Sequence, residues 1–583
     1  MQIGVTERMR SIWPILRPYR FWMILAIALV GVQAATELAL PTLMASIVDE
    51  GIVYGDTGHI LRVGTVMLVV TAVSMAASVI GARIAARSSM AFGRDMRGTV
   101  FAHATNFSLK EFDRLGTATL ITRTTNDVEQ IERVVFMSQR MFSRAPMMAI
   151  GSLFFAFRTD PGLAWILLIA IPVLALVVWF ISSKSMPLFQ AMQEKIDRLN
   201  LVSREGLAGI RVIRAFNRTQ YEEQRFEEAN ADLMQTGVRV FRIMALMDPA
   251  LTIILNMTIV LVLWVGGFRV NAGTLEVGKL MAFPQYAMHL MFSLMALSMM
   301  FVMIPRAAVS ARRIAEVIET EPDIADPAEP VTPRENEGVV EFDNVTFYYP
   351  GAEAPALRGV SFTARPGEVT AIIGGIGSGK STLAKLLLRF YDVTEGSIRV
   401  DGVDVRAMTQ EELRSRIGYV PQQALLFTGT IAENLRYGKP DATDEEVQAA
   451  AESAQAHRFV RELEQGYDHM VTQGGTNLSG GQKQRLTIAR ALVRRPKIYL
   501  FDDNFSALDF KTDALVRRAL RKETADATVI IVAQRVATIM DATRIIVLDE
   551  GRVVGIGTHD ELLRTCDIYR EIVASQLAEE AIA

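Results

Sequence analysis

The stretch VTAIIGGIGSGKSTLAKLLLRF, Val369 to Phe390, joins an apolar run, a glycine-rich loop and a second apolar run of helical spacing. Its centre, Gly374 to Ser381, fits the pattern G-x-x-x-x-G-K-S, and the order strand, loop, helix is the context in which that pattern marks a phosphate site. Backbone N–H groups of Gly374, Gly375, Gly377, Ser378 and Gly379, with the N-terminus of the following helix, can wrap a diphosphate. Lys380 can reach the terminal phosphates, the hydroxyl of Ser381 can ligate a phosphate-bound magnesium ion, and Thr382 completes the nucleotide-binding loop. Alone, the motif establishes nucleotide binding only.

Away from this stretch the composition is uneven. Half of the 583 residues are hydrophobic, too many for a soluble chain of this length, and more than one core is expected. The long apolar runs lie within residues 1–320, whereas 339–583 has the mixed charge and frequent glycine of a soluble α/β domain. Between them EPDIADPAEPVTPRENEG, residues 321–338, reads as a proline-rich acidic linker. A net charge of -3 and the lack of an aromatic-interleaved basic patch argue against a nucleic-acid partner. The single cysteine, Cys566, leaves no internal disulfide to form and suits a reducing cytosol. The opening MQIGVTERMR has no apolar run leading to a small-residue cleavage site, so no removable signal peptide is expected.

A bilayer span takes roughly 20 mostly apolar residues, and six are expected near 21–47, 61–82, 138–157, 162–182, 247–268 and 279–304. An even number returns both ends to one side. Arg8, Arg10, Arg17 and Arg20 and the basic stretch from Arg83 to Arg140 put that side in the cytoplasm, with the acidic connector at Asp49, Glu50 and Asp56 outside. The connectors after spans two and four are long and lack the composition of floppy loops, and GLAGIRVIRAFNRTQYEEQRFEEAN (206–230) has helical amphipathic spacing. They read as helices continuing past the bilayer, either as levers or as a solvated stalk. Within the spans Glu37 is a candidate for a substrate path or a hydrogen-bonded packing residue. His289 and Asn256 fit the role of interhelical glue, and Met281, Met288, Met291, Met295, Met299, Met300 and Met303 would give the sixth span a soft surface for ligands or for packing.

The remaining motifs decide the family. LSGGQ at Leu478–Gln482 is followed by KQRLTIARAL and then by IYLFDD, which resembles the signature sequence, its helix and the magnesium strand of ATP-binding cassette transporters. Six spans with two long connectors fused to a C-terminal cassette resemble the exporter-type half-transporters over essentially the whole chain. The resemblance implies a multidomain fold: an all-α six-helix transmembrane domain, then an α/β P-loop nucleotide-binding domain with a RecA-like core and a helical subdomain. It implies ATP and Mg²⁺ as cofactors and a lipid bilayer and hydrophobic or amphipathic substrates, drugs or lipids, as partners. It also implies a cytoplasmic-membrane location.

Residue by residue, Tyr349 matches the aromatic that stacks on adenine, with Tyr348 beside it as the alternative. Gln422 in YVPQ resembles the glutamine that touches magnesium and links nucleotide to the spans, and Asp502 the carboxylate that holds the metal. Asp509 resembles the residue that communicates across a cassette dimer. Ser479, Gly480, Gly481 and Gln482 are similar to the signature that caps the nucleotide of the opposite subunit. Two positions depart from the pattern: Asp503 stands in place of the catalytic glutamate and Gln534 in place of the switch histidine. Losing a methylene withdraws the carboxylate by ~1.5 Å from a water that must lie within about 2.6–3.2 Å. A misplacement of about 1 Å can cost ~100-fold in rate. Gln534 can hydrogen-bond phosphate but cannot carry a proton as histidine does. With LSGGQ intact, the expectation is a subunit of a heterodimeric exporter whose effective base lies on a different half-transporter. A homodimer with a slow aspartate site, an ATP-gated regulator or channel, and an importer with the exporter fold stand as alternatives. The substrate is beyond the sequence.

Overall fold

The computed structural model describes residues 11–333, 337–505 and 508–582; Arg8 and Arg10 lie outside them. The chain divides into two compact units, one made of 1–104 and 118–320, the other of 105–117 and 321–583.

The described residues of the first unit form helices joined by short turns. Its long helices are Arg20–Ser46, Thr57–Thr105, Pro161–Ala208, Thr219–Met244, Met247–Asn271 and Val277–Glu319. The 49 residues of Thr57–Thr105 extend about 73 Å at 1.5 Å per residue, more than twice the ~30 Å of bilayer hydrocarbon. Among the described residues five stretches are long and apolar enough to cross a membrane: Trp13–Ile52, Thr57–Thr105, Pro161–Ala208, Thr219–Asn271 and Val277–Leu297. The third expected span, 138–157, is not among them. There the π-helical turn Ser138–Phe142 interrupts the helix before Ser143–Thr159, and Arg140 and Arg144 lower its hydropathy. Exposed apolar residues such as Leu68, Met75, Ile169, Leu176, Trp179 and Trp264 cover the outward faces of these helices, as a lipid solvent requires.

Packing within this unit relies on close approach and on satisfied polar groups. A Cβ on Gly151 would sit 2.4 Å from Leu38 Cδ1, and one on Gly266 2.3 Å from Leu280 Cδ1; small residues here let the helices meet. Tyr286 is fully buried beside Phe283 and Leu290, and its hydroxyl meets that of Thr42 at 2.7 Å. Asp160 caps Pro161–Ala208 by accepting from the Leu163 N–H at 2.9 Å, and Arg269 donates to the same carboxylate at 2.5 Å. Beyond the apolar stretches, Lys195 pairs with Asp232 and Arg225 with Glu205. These pairs tie Pro161–Ala208 to Thr219–Met244 where neither is apolar enough for lipid.

The second unit is built on a six-stranded sheet in the order Arg552–Gly557, Arg544–Asp549, Val369–Gly374, Thr528–Val532, Ile498–Asp502, Ile417–Val420, parallel except at the Arg552–Gly557 edge. Central strands covered on both faces read as unbroken apolar runs. In the VTAIIG strand Ala371 and Ile373 enter one core and Ile372 the other. An antiparallel sheet, Leu357–Ala364, Val340–Phe347, Glu395–Val400 and Val403–Asp404, packs on one side. A helical part containing Ile431–Arg436, Asp444–Ser453 and Gly480–Val493 packs on the other.

The short helix Leu109–Leu115 is stopped by Gly116 at φ +75 and started by a capping box of Ser108 and Glu111. It belongs to this unit: Leu109 packs on the core that contains Tyr391, Asp113 accepts from the Tyr391 hydroxyl at 3.2 Å, and Lys110 pairs with Asp323 at 2.9 Å. Burial, then the charge of Asp113, pushes the Tyr391 hydroxyl up to about 12. The family resemblance implies docking around Leu115 to Arg123 and Phe216 to Tyr221 near Gln422; the helix that packs on this unit is Leu109–Leu115, and it meets the tyrosine cluster.

Asp401 closes the entrance to the cassette. Its carboxylate accepts from the N–H groups of Gly338 and Val339 at 2.7 and 2.8 Å and pairs at 2.8 Å with Arg416, which is itself buried and also held by Glu412. Breaking a buried pair from one side costs roughly 3–5 kcal/mol. Asp401→Ala should lower the cassette's melting temperature by roughly 6–20 °C, at ~2–4 °C per kcal/mol, read by scanning fluorimetry of the full chain.

Candidate functional site

Four neighbouring strands of the parallel sheet end on one edge, and each delivers one part of the site. Val369–Gly374 runs into the glycine loop, Ile498–Asp502 ends on Asp502 with Asp503 next, and Ile417–Val420 is followed two residues later by Gln422. Thr528–Val532 is followed two residues later by Gln534. Ligands of open α/β sheets bind at this carboxyl edge because the strand ends and helix N-termini leave N–H groups and side chains facing out there.

The loop is shaped by glycine where no other residue fits. Gly377 and Gly379 have φ +81 and +97, and a Cβ on Gly379 would lie 2.7 Å from the Ala356 carbonyl oxygen. Lys380 Nζ is folded back on the loop, donating to the carbonyls of Gly374 and Gly375 at 2.8 and 2.7 Å. Burial lowers the Lys380 ammonium, while Asp503 and then Asp502 pull the other way. The loop thus holds a cation at its centre with N–H groups around it, a cradle suited to phosphate. Ser381 Oγ donates to Asp502 Oδ1 at 3.1 Å. Hydroxyl, carboxylate and the Gln422 amide oxygen are the hard oxygen donors that magnesium takes. Among the described residues no cluster of three His, Cys, Asp or Glu side chains could hold a metal alone. The donor set fits a cation that takes the rest of its ligands from phosphate oxygens and water.

Asp503 is held more tightly than its neighbours. Its backbone is left-handed, φ +47, and its N–H donates to the Val532 carbonyl at 2.9 Å. Oδ2 accepts from both Gln422 Nε2 at 3.2 Å and Gln534 Nε2 at 2.7 Å. Burial raises the titration of Asp502 and of Asp503 above the ordinary carboxylate range. Gln534 is itself tied down, its carbonyl accepting from Gln576 at 2.7 Å.

Tyr349 hydrogen-bonds Thr382 at 3.1 Å and lies edge-on to Tyr391 at 5.5 Å, with Lys385 over its ring. That places it one step from the phosphate loop and one step from Leu109–Leu115. Ser479 and Gly480 are exposed at the start of Gly480–Val493, where Ser479 and Gln482 form a reciprocal cap. Asp509 caps Phe510–Glu523 by accepting from the Thr512 N–H at 2.9 Å, which lowers its carboxyl.

Two groups escape a motif reading. Tyr419 lies against Asp502, and burial followed by that charge raises its hydroxyl. Asn504 is 1% exposed, and among the described residues neither amide atom has a partner; the extra polar residue in DDNF is the only signal the sequence carries for it.

Two family models match the chain. The ABC transporter transmembrane region matches residues 23–295 and the ABC transporter model residues 357–506. An uncharacterised ABC transporter ATP-binding protein of Mycobacterium tuberculosis is 44% identical over 565 residues, covering 96% of this chain and 97% of that one. This chain belongs to the ABC transporters. A fatty acid ABC transporter ATP-binding/permease protein of Mycobacterium bovis is 37% identical over 467 residues, 80% of this ABC transporter and 73% of its relative. A solved bacterial Atm1-family ABC exporter with ATP bound superposes with a TM-score of 0.78 at 30% identity, covering 96% of this chain and 98% of that one. The transporter therefore has the exporter fold, a helical membrane domain with an α/β ATP-binding domain, and couples ATP to transport.

The raised carboxyls give a pH test. An acid whose folded titration lies above its unfolded one binds more protons when folded, so its ionisation opposes folding and stability rises as pH falls through the raised range. Asp502→Asn should therefore raise the melting temperature of the nucleotide-free transporter at pH 7. The gap from the unaltered chain should narrow on acidification, as followed by scanning fluorimetry across pH.

Proposed function

We propose that this chain is one half of a heterodimeric exporter that moves hydrophobic or amphipathic molecules across the cytoplasmic membrane, with both termini on the cytoplasmic side. The observation that carries this reading is the trapped carboxylate of Asp503. A general base must offer a free lone pair to the attacking water. Asp503 is one methylene short, and one of its oxygens is engaged by two amides. The chain's own Lys380, Ser381, Asp502 and Gln422 bind and orient ATP·Mg²⁺, and Tyr349 stacks on the adenine. Magnesium, when bound, supplies charge neutralisation at the β- and γ-phosphates. Asp503 and Gln534 hold a water poorly, and Gln534 moves no proton, so ATP stays bound at this site.

The signature supports the second half of the reading. Ser479, Gly480 and Gly481 open a 14-residue helix whose N-terminus is exposed, an arrangement that receives an anion from outside the chain. In a sandwich of two cassettes that anion is the γ-phosphate held by a different half-transporter with a competent glutamate, and Asp509 reports across the same junction. The exposed Val212, Phe216 and Tyr221 around the turn after Ile210–Ala215 are an apolar tip of the kind that seats on another subunit. Nucleotide at Tyr349 is felt by Leu109–Leu115 through Tyr391. The name of the fatty acid relative favours lipid-like substrates.

The test is steady-state ATPase of the complex with a co-expressed partner. Partner glutamate→Gln should cost at least ~100-fold, in the range of lost general-base catalysis, and Asp503→Ala less than about 3-fold. Equal collapse would remove the asymmetry. Brisk turnover by the self-paired chain would favour the homodimer, and flux that persists when hydrolysis is blocked would favour an ATP-gated pore. In both settings Lys380→Ala should abolish binding of a fluorescent ATP analogue to this chain.

A further inference from the structure

The helical unit contains a cavity of about 450 Å³ lined by Arg140, Arg144, Met148, His289, Phe292 and Ala296 among others, within the range of small-molecule sites, roughly 300–1,000 Å³. Its charges do not balance. Arg144 Nη2 meets Glu37 Oε2 at 2.5 Å, and Gln33 donates to the other oxygen of that carboxylate at 2.9 Å. Arg140 donates only to neutral oxygens, the Ser78 carbonyl at 3.2 Å and the Ser78 hydroxyl at 3.5 Å. Among the described residues it has no acidic partner. Arg144 Nε is buried and without an acceptor. Two guanidiniums thus face one carboxylate in a segment flanked by membrane spans, where an unbalanced arginine is costly. A surplus of that kind is retained when a ligand supplies the missing charge.

We propose that this cavity binds the head group of an amphipathic anion, a carboxylate or a phosphate monoester on an alkyl chain. This rests on the amphipathic-substrate part of the function proposed above and narrows it. Arg140 and Arg144 are one helical turn apart on one face, so both forks can reach one head group, and a guanidinium matches the planar oxygens of carboxylate or phosphate. Met148, Phe292 and Ala296 give the alkyl chain an apolar wall, and methionine adapts to chains of different shape. Glu37 is the internal occupant: an entering anion displaces its carboxylate from Arg144, and Gln33 keeps it solvated by an amide meanwhile. His289, on the same wall, adds a third group able to donate to the head.

The test compares four dodecyl probes, dodecanoate, dodecyl phosphate, dodecanol and dodecyltrimethylammonium, by radioligand binding to the full chain with its partner in zwitterionic nanodiscs. Dodecanoate and dodecyl phosphate should bind at least tenfold tighter than the neutral and cationic probes, and the ratio between the two anions identifies which head fits. Arg140→Gln and Arg144→Gln should each erase the preference, and Arg140→Lys should restore part of it. Glu37→Gln should tighten the anions several-fold by removing their competitor, whereas a purely structural ion pair would leave binding unchanged or weakened there. Should an arginine variant lose its gel-filtration peak, the probe series on the unaltered chain and on Glu37→Gln decides. Equal binding of all four probes, or weaker anion binding in Glu37→Gln, would overturn the proposal while leaving ATP-driven export standing. Binding of none of the four would overturn it together with the amphipathic-substrate reading.

Discussion

One edge of one parallel sheet governs this protein. Because the neighbouring strands Val369–Gly374, Thr528–Val532, Ile498–Asp502 and Ile417–Val420 end together, groups up to 160 residues apart in the chain, Gly374 and Gln534 among them, meet at one place. The apolar strands fix the edge by being covered on both faces, and the polar residues just past their ends form the candidate site. Asp503 shows how narrow the tolerance is. The left-handed turn that follows the strand aims its carboxylate at Gln422 and Gln534, so the two substitutions at 503 and 534 are joined in a single hydrogen-bonded group. A histidine in place of Gln534 would bring a titratable donor to that oxygen; glutamine brings a fixed one.

Much of this was legible in the sequence. The glycine loop needs its particular residues because only glycine takes the backbone of Gly379 beside the Ala356 carbonyl, and so it is written as a recognisable string. The same holds for Ser479 and Gln482, whose reciprocal cap is a local three-residue pattern. The apolar spans are legible because a bilayer imposes length and hydropathy together. The third is the exception for a physical reason: its arginines face a cavity and one carboxylate, not lipid, so composition alone ranks it below the others.

What stayed hidden depends on partners far apart in the chain. Nothing near residue 113 announces that Asp113 meets Tyr391, and the docked helix therefore could not be separated from the connector around it. Glu37 was visible as an anomaly, but Arg144, which explains it, is 107 positions away. Asp401, Arg416 and Glu412 are ordinary charged residues in the string and become a buried knot only when Val340–Phe347 and Glu395–Val400 pair. Motifs report local geometry, and long-range charge pairing leaves no string to find.

The allegiance of Leu109–Leu115 has a consequence for how such a chain can be cut. Residues 105–117 lie in the middle of the N-terminal half yet are part of the C-terminal body, so the polypeptide has no single severing point between its halves. A fragment starting at residue 321 would leave bare the apolar seat at Tyr391 and strip Asp323 of Lys110. A chimaera that exchanges cassettes at that point would inherit a plug shaped for a different socket.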